Sequence, residues 1–237
     1  MSGVIPRERL ERNLARVRQH MAESAAKASR PLSEIKLLAV TKYVDQPTIA
    51  SLLELGLRDF GESRVQDAER KIKSLDGATR WHLIGHLQTN KADKAAKLFQ
   101  MIHSVDSVRV AEALNKEAAH RAPAPALECL LELNIAGEAN KYGLRPNLSE
   151  LEELLKKCAD LPNLRIGGMM SMAPYAENPE ATSRPVFKKL RELLEVLNAK
   201  RCYPHDMREL SMGMTQDYCI AIEEGATWVR VGSALFE

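Results

Sequence analysis

LLAVTKYVDQPTIASLLELG, residues 37–56, contains the unit that decides the architecture of this chain. Leu37 to Val40 form a short apolar run of the kind that builds a buried strand. PTIASLLELG, with Pro47 at its start and Gly56 as its C-cap, carries the start and stop signals of a helix. Between the two stands Lys42. Burying an unpaired ammonium is expensive, so a core strand that runs into lysine either releases it to solvent or uses it.

The same unit recurs along the chain. Further apolar runs are LRDFGE (57–62), WHLIGH (81–86), MIHSVD (101–106), LECLLELNI (127–135), RIGGMMSM (165–172), RELSMGM (208–214) and TWVRVGS (227–233). With LLAVTK (37–42) they make eight. Helical patterns lie between them in TNKADKAAKLF, SVRVAEALNKEAAH, LSELEELLKKCADL, PEATSRPVFKKLRELLEVLNAK and TQDYCIAIEEG. Strand and helix in alternation argue for parallel β/α units. Eight units in 237 residues predict a single α/β domain, a closed (β/α)8 TIM barrel spanning 1–237. A doubly wound open sheet is the alternative, but TKYVDQ after the first strand has no glycine fingerprint. An extra helix precedes the barrel over residues 6–28. Leu10, Leu14, Val17, Met21 and Ala25 share one face of it, and Pro6 suits its first position. APAPA (122–126) reads as the loop before strand five.

Composition narrows the function classes. Lys plus Arg total 34 and Asp plus Glu 32, a formal charge of +2, which leaves no electrostatic footprint for nucleic acid. No apolar run reaches membrane-spanning length, and MSGVIPRERLERNL lacks a signal-peptide core. Cys129, Cys158, Cys202 and Cys219 have no metal-ligand spacing and read as free thiols. The expectation is a cytoplasmic protein, and with no long apolar helix face left spare, a monomer.

In a barrel of this type the site lies at the C-terminal ends of the strands. Those ends carry Lys42, Glu62, Ser63, His86, His103, Asp106, Asn134, Ser171, Ser211, Gly213, Arg230, Gly232 and Ser233. Period two puts Leu38, Val40 and Lys42 on one face of strand one, and Trp228, Arg230 and Gly232 on one face of strand eight. Those strands are neighbours in a closed barrel, so Lys42 and Arg230 share a mouth. LSMGMTQD and VRVGSALFE suit an anion, with Gly213 for a close approach, Thr215 as a helix N-cap, and Gly232 and Ser233 opening a last short helix. A lysine beside a phosphate pocket is a candidate Schiff-base amine, its pKa lowered by partial desolvation and a neighbouring cation. Pyridoxal 5′-phosphate offers both an aldehyde and a phosphate. His82, His86 and His103 raise a metal site as a rival, but no carboxylate or cysteine completes a set.

At these residues the chain closely resembles the pyridoxal phosphate homeostasis protein family, whose barrel is similar to the N-terminal domain of alanine racemase. AVTK, FGESRVQDAERK, WHLIGHLQTNK, HSVDS, NIAGEANKYG, GGMMSMAP and LSMGMTQDYCIAIEEGATWVRVGSALF carry the likeness, in order, from residue 39 to 236. The resemblance implies that Lys42 holds pyridoxal phosphate as a Schiff base. It implies that Ser211, Met214, Gly232 and Ser233 surround the phosphate, and that Arg230 faces the pyridine nitrogen. Ser63 stands where the family commonly has Asn, near the cofactor ring. His86 is expected to hydrogen-bond in the mouth, and Lys141 reads as a loop lysine that could help attract an anionic cofactor.

The function implied is intracellular vitamin B6 homeostasis without robust catalysis, with transient contact to cofactor-requiring apo-enzymes. Two rivals use the same lysine. An amino-acid racemase needs acid/base groups on both faces of the substrate. In alanine racemase the second is a tyrosine on a separate C-terminal domain of a partner subunit, and this chain stops at Glu237, directly after strand eight. A Schiff-base aldolase needs no cofactor and would be colourless.

Overall fold

The computed structural model describes residues 4–75, 79–121 and 123–237. Each of the eight apolar runs yields a strand. They are β1 (Lys36–Val40), β2 (Asp59–Glu62), β3 (Arg80–Leu83), β4 (Met101–Val105), β5 (Leu127–Leu133), β6 (Leu164–Ser171), β7 (Glu209–Ser211) and β8 (Trp228–Val231). All pair in parallel and in sequence order, and β8 returns to β1 to close the barrel.

The helices are α1 (Arg7–Lys27), α2 (Gln46–Glu54), α3 (Val65–Ile72), α4 (Ala92–Leu98), α5 (Val108–Ala118), α6 (Leu148–Ala159), α7 (Pro179–Lys200), α8 (Tyr218–Glu223) and α9 (Ser233–Phe236). Four starts follow capping chemistry: Asp45, Ser107, Asn147 and Asn178 each accept a backbone N–H of the first turn of α2, α5, α6 and α7. Helix α3 is the one the apolar runs did not announce. It is short and mostly charged, with Val65 and Ala68 buried. Pro6 proves to be the N-cap of α1 rather than its first residue, and Gly56, at φ 88°, follows the C-cap Leu55 of α2. Of the loop predicted over 122–126, residue 122 lies outside the described residues and 123–126 are non-strand.

Alternation of side chains divides the core in two. Residues facing out from the strands meet the helices in one large apolar layer. Residues facing in make a smaller cluster of Leu38, Met101, Leu130, Met170 and Trp228, packed against Ile84 and Met172. Helix α1 buries Leu10, Leu14, Val17, Met21 and Ala25, as the spacing predicts. It lies against the closing elements: Asn13 Nδ2 donates to Leu235 O at 3.1 Å, and His20 meets the Tyr218 hydroxyl at 2.9 Å. Among the described residues no helix is long and apolar enough to cross a membrane.

Candidate functional site at the barrel mouth

Strand β8 turns Trp228 and Arg230 into the barrel. Arg230 is buried, and its guanidinium is fully engaged on one edge: Nη1–H donates to Ser211 Oγ at 2.7 Å and Nη2–H to Ser171 O at 2.9 Å. Among the described residues it hydrogen-bonds no carboxylate. Burial pushes its pKa down to about 10, against the opposing pull of Asp217 and Glu132. It remains a cation near neutral pH.

Lys42 departs from the geometry expected of it. Strand β1 ends at Val40, and the backbone turns at once, with Val44 N–H donating to Thr41 O at 2.9 Å. Period two lapses where the strand stops, so Lys42 does not continue the inward face of Leu38. Its side chain is exposed, with Nζ 5.0 Å from the ring centre of Tyr43. The desolvation expected to activate the amine is therefore not present. What the fold supplies is a fixed base beneath it. Thr41 is buried, its hydroxyl donates to Glu62 Oε1 at 2.7 Å, and Lys71 Nζ from α3 donates to both Thr41 O and Glu62 Oε1 at 2.6 Å. Lys71 was missed in the sequence, although a glutamate closing the buried strand DFGE called for a cation.

Gly232 follows β8 and brings the two ends together. By register Leu38 faces Arg230 and Ala39 faces Val231, and a Cβ on Gly232 would sit 3.6 Å from the Cβ of Val40. The backbone of Gly232 thus lies beside the strand end that carries Lys42. Ser233 is exposed at the start of α9. Gly213, at φ 87°, makes the tight turn after β7, and a Cβ there would meet Ala221 Cβ at 2.5 Å.

Thr215 does not cap α8. Its hydroxyl oxygen is turned to the last helix and accepts long contacts from Gly232 N–H (3.4 Å) and Ala234 N–H (3.3 Å). Met214 N–H is taken by Asp217 Oδ1 at 2.7 Å. Gln216 Nε2 is a buried donor without a partner among the described residues. Weakly held amides and an orphan amide donor beside a tight turn fit an anion of phosphate type.

The other predicted residues ring the mouth less closely. Ser63 follows β2, and its backbone supports Gly85, where a Cβ would fall 2.2 Å from Ser63 O. His86 Nδ1 lies 3.1 Å from Asp106 Oδ2, and its ring stacks on Tyr142 at 3.7 Å. A cleft of about 620 Å³ opens on that side, lined by His86, Gln88, Asn90, Asp106 and Arg109, away from Arg230 and Gly232. Lys141 pairs with Glu138 at 2.5 Å. His82 and His103 touch each other inside the barrel at 3.0 Å.

Glu132 was not anticipated. It lies on the inward face of β5, 4% exposed, with Oε2 unpartnered among the described residues. Burial, then the nearby Asp106, push its pKa up to about 7, with Arg230 opposing.

A closed parallel barrel with a buried cation and glycine-bounded turns at its mouth defines the class of the alanine racemase N-terminal domain, whose family model matches residues 5–237. Within that class the chain belongs to the pyridoxal phosphate homeostasis protein family. Two curated relatives bearing the name Pyridoxal phosphate homeostasis protein are similar along almost their whole length. One, from Pseudomonas aeruginosa, is 40% identical over 226 residues, 94% of this chain and 93% of the relative. Another, from Aquifex aeolicus, is 39% identical over 224 residues, 94% of this chain and 95% of the relative. Among solved structures, PipY of Synechococcus elongatus with PLP bound is 33% identical, with a TM-score of 0.78 over 92% of this chain and 100% of that one.

Proposed function

We propose that this protein binds pyridoxal phosphate at the C-terminal mouth of the barrel, carries it on Lys42 as a Schiff base, and serves vitamin B6 homeostasis rather than turnover. The observation that carries the reading is the convergence at one mouth of a reachable amine, a buried guanidinium and a turn with weakly held amides and one unpartnered amide donor. Pyridoxal phosphate supplies an aldehyde that condenses with an amine, losing water, and an electron-withdrawing ring. The remaining parts of the reading concern the protein's own groups. Gly232, Ser233 and Gln216 offer donors for the phosphate, with Ser211 and Met214 bounding that side, and Ser63 and His86 flank the ring.

Arg230 gives the reading its non-catalytic character. A guanidinium donates and does not accept, so facing a pyridine nitrogen it leaves that nitrogen unprotonated and the ring a weaker electron sink. An exposed Lys42 also suits loading and release better than sheltered proton transfer. We place the protein in the cytoplasm as a monomer, in transient contact with apo-enzymes. Its four unpaired cysteines fit a reducing compartment.

Borohydride reduction after incubation with pyridoxal phosphate, followed by peptide mass spectrometry, tests the reading. A phosphopyridoxyl group on Lys42 is expected. An unmodified Lys42 overturns it and favours the cofactor-free aldolase. Sustained racemisation of amino acids, abolished by Lys42→Ala, would overturn the non-catalytic part alone.

A further inference from the structure

The polar side chains inside the barrel touch end to end. At the floor, Arg80 donates to both oxygens of Asp59, Nε–H to Oδ1 at 2.7 Å and Nη2–H to Oδ2 at 2.6 Å. Asp59 Oδ1 also meets His82 Nε2 at 3.1 Å. His82 Nδ1 meets His103 Nε2 at 3.0 Å, and His103 Nδ1 meets Ser211 Oγ at 2.8 Å. Ser211 Oγ then receives Arg230. The chain crosses the interior from β2 through β3 and β4 to β7 and β8. Both imidazoles are essentially buried, His82 at 2% and His103 at 0% exposure.

We infer that this chain is proton-locked, with both histidines neutral and protonated on Nε2, and that His103 is a positioning residue that holds Arg230 in the mouth through Ser211. The two ends dictate the order. An ionised Asp59 can only accept, so His82 must donate from Nε2 and its Nδ1 becomes an acceptor. His103 must then donate from Nε2 and accept on Nδ1. At the other end Arg230 can only donate, so Ser211 accepts from it and spends its own proton on His103. The two deductions meet without conflict, and every donor has one acceptor.

A further proton would reverse the order. It would add a second buried cation beside Arg230 and leave the Ser211 hydroxyl proton without its acceptor. Burial opposes that state and lowers the pKa of both imidazoles: Asp59 opposes the shift at His82 while Arg80 and Lys36 add to it, and His82 and Arg230 add to the stronger shift at His103. The locked order turns the Ser211 lone pairs to Arg230 permanently. That Arg230 so held meets a pyridine nitrogen rests on the function proposed above. The lock itself does not.

The test uses the full chain, 15N-labelled and without pyridoxal phosphate. Long-range 1H–15N spectra report which ring nitrogen carries the proton, and His82→Gln and His103→Asn assign the two signals. Both rings are expected as neutral Nε2–H tautomers at about pH 7.5, and His103, the more strongly shifted, still below the ordinary histidine value of roughly 6.5. A Nδ1–H tautomer in either, or titration of His103 near the ordinary value, overturns the lock.

Positioning is read on the Arg230 guanidinium, whose N–H signals stay resolved when its rotation is hindered. His103→Asn places an acceptor where Nδ1 stood and should preserve them. His103→Leu should lose them. Unchanged Arg230 signals in His103→Leu overturn the positioning role. Should that variant fail to fold, loss of the Arg230 signals in His103→Asn overturns it instead. Failure of the carrier reading would leave Lys42 unlabelled by borohydride with these spectra intact, so the two failures are distinguishable.

Discussion

The two ends of this barrel treat charge in opposite ways. At the floor the inward charges are answered among the described residues: Asp59 by Arg80, Lys36 by Glu209 at 2.7 Å, Glu128 by Arg165 at 3.4 Å. At the mouth Lys42, Arg230 and Glu132 make no ion pair among the described residues. Glu62 with Lys71 and His86 with Asp106 are paired there too, so it is this subset, a buried guanidinium, a buried carboxyl and an exposed amine, that stays available to something outside the fold. Parallel barrels divide labour in this way, stability below and chemistry above. Mutations at the two ends should therefore fail differently.

The largest contrast is at Lys42. Lys42→Ala should abolish covalent labelling by pyridoxal phosphate and borohydride outright. Because the side chain is exposed, unfolding free energy should move by no more than about 0.5 kcal/mol. Labelling that persists elsewhere at full stoichiometry would break the comparison, since the mouth would then not own the chemistry. At the floor, Asp59→Ala should do the reverse. It leaves the buried His82 Nε2–H without an acceptor, at a cost of about 1–3 kcal/mol read by urea unfolding, while the Arg80 guanidinium, 57% exposed, turns to water. Labelling at Lys42 should survive in the fraction that folds.

Glu132 gives a smaller effect with a distinctive pH signature. Its carboxyl, raised from 4.5 to about 7, holds a proton in the folded state that the unfolded chain releases. Stability therefore falls as pH rises from 4.5 to 7, by about 2–3 kcal/mol in all. Glu132→Gln should recover that amount at pH 8 and nothing below pH 4.5. Equal effects at both pH values would show that the carboxyl is not perturbed. The buried histidines run the other way. Their folded pKa values lie below 6.5, so the unfolded chain binds the extra protons and stability falls as pH drops under 6.5. In the native chain Glu132 offsets part of that loss. Glu132→Gln should consequently steepen the acid limb by up to about 1.4 kcal/mol per pH unit.

The eight strands were legible because strands buried on both faces read as near-continuous apolar runs. The mouth residues were legible because they follow those runs. Strand ends were less so: Val40 and Thr41 are both small and apolar enough to continue β1, and only the turn at Thr41 shows that Lys42 has left it. The His82–His103 contact depends on the register of β3 against β4, which no local pattern encodes. Glu132 did have a signal. In LECLLEL the glutamates fall on alternate positions with Leu130 between them, so period two alone puts both inside the barrel. Lys71 had a weaker one, since α3 is mostly charged and nothing local marks which cation turns inward.

The finest test of the contrast lies in the floor pair Lys36–Glu209. Lys36 is 42% exposed as a side chain and Glu209 22%. The ammonium also lies 4.7 Å from the Trp228 ring, which seals the barrel interior from below. A pair this exposed is worth at most about 1 kcal/mol, and part of what Lys36 contributes is its contact with the indole. Lys36→Met keeps the stem over Trp228 and drops the charge, so it should cost about 0.5 kcal/mol and respond to salt. Lys36→Ala removes both and should cost more, with the excess insensitive to salt. Equal costs would mean that the indole contact contributes nothing, and that charge pairing alone closes the floor.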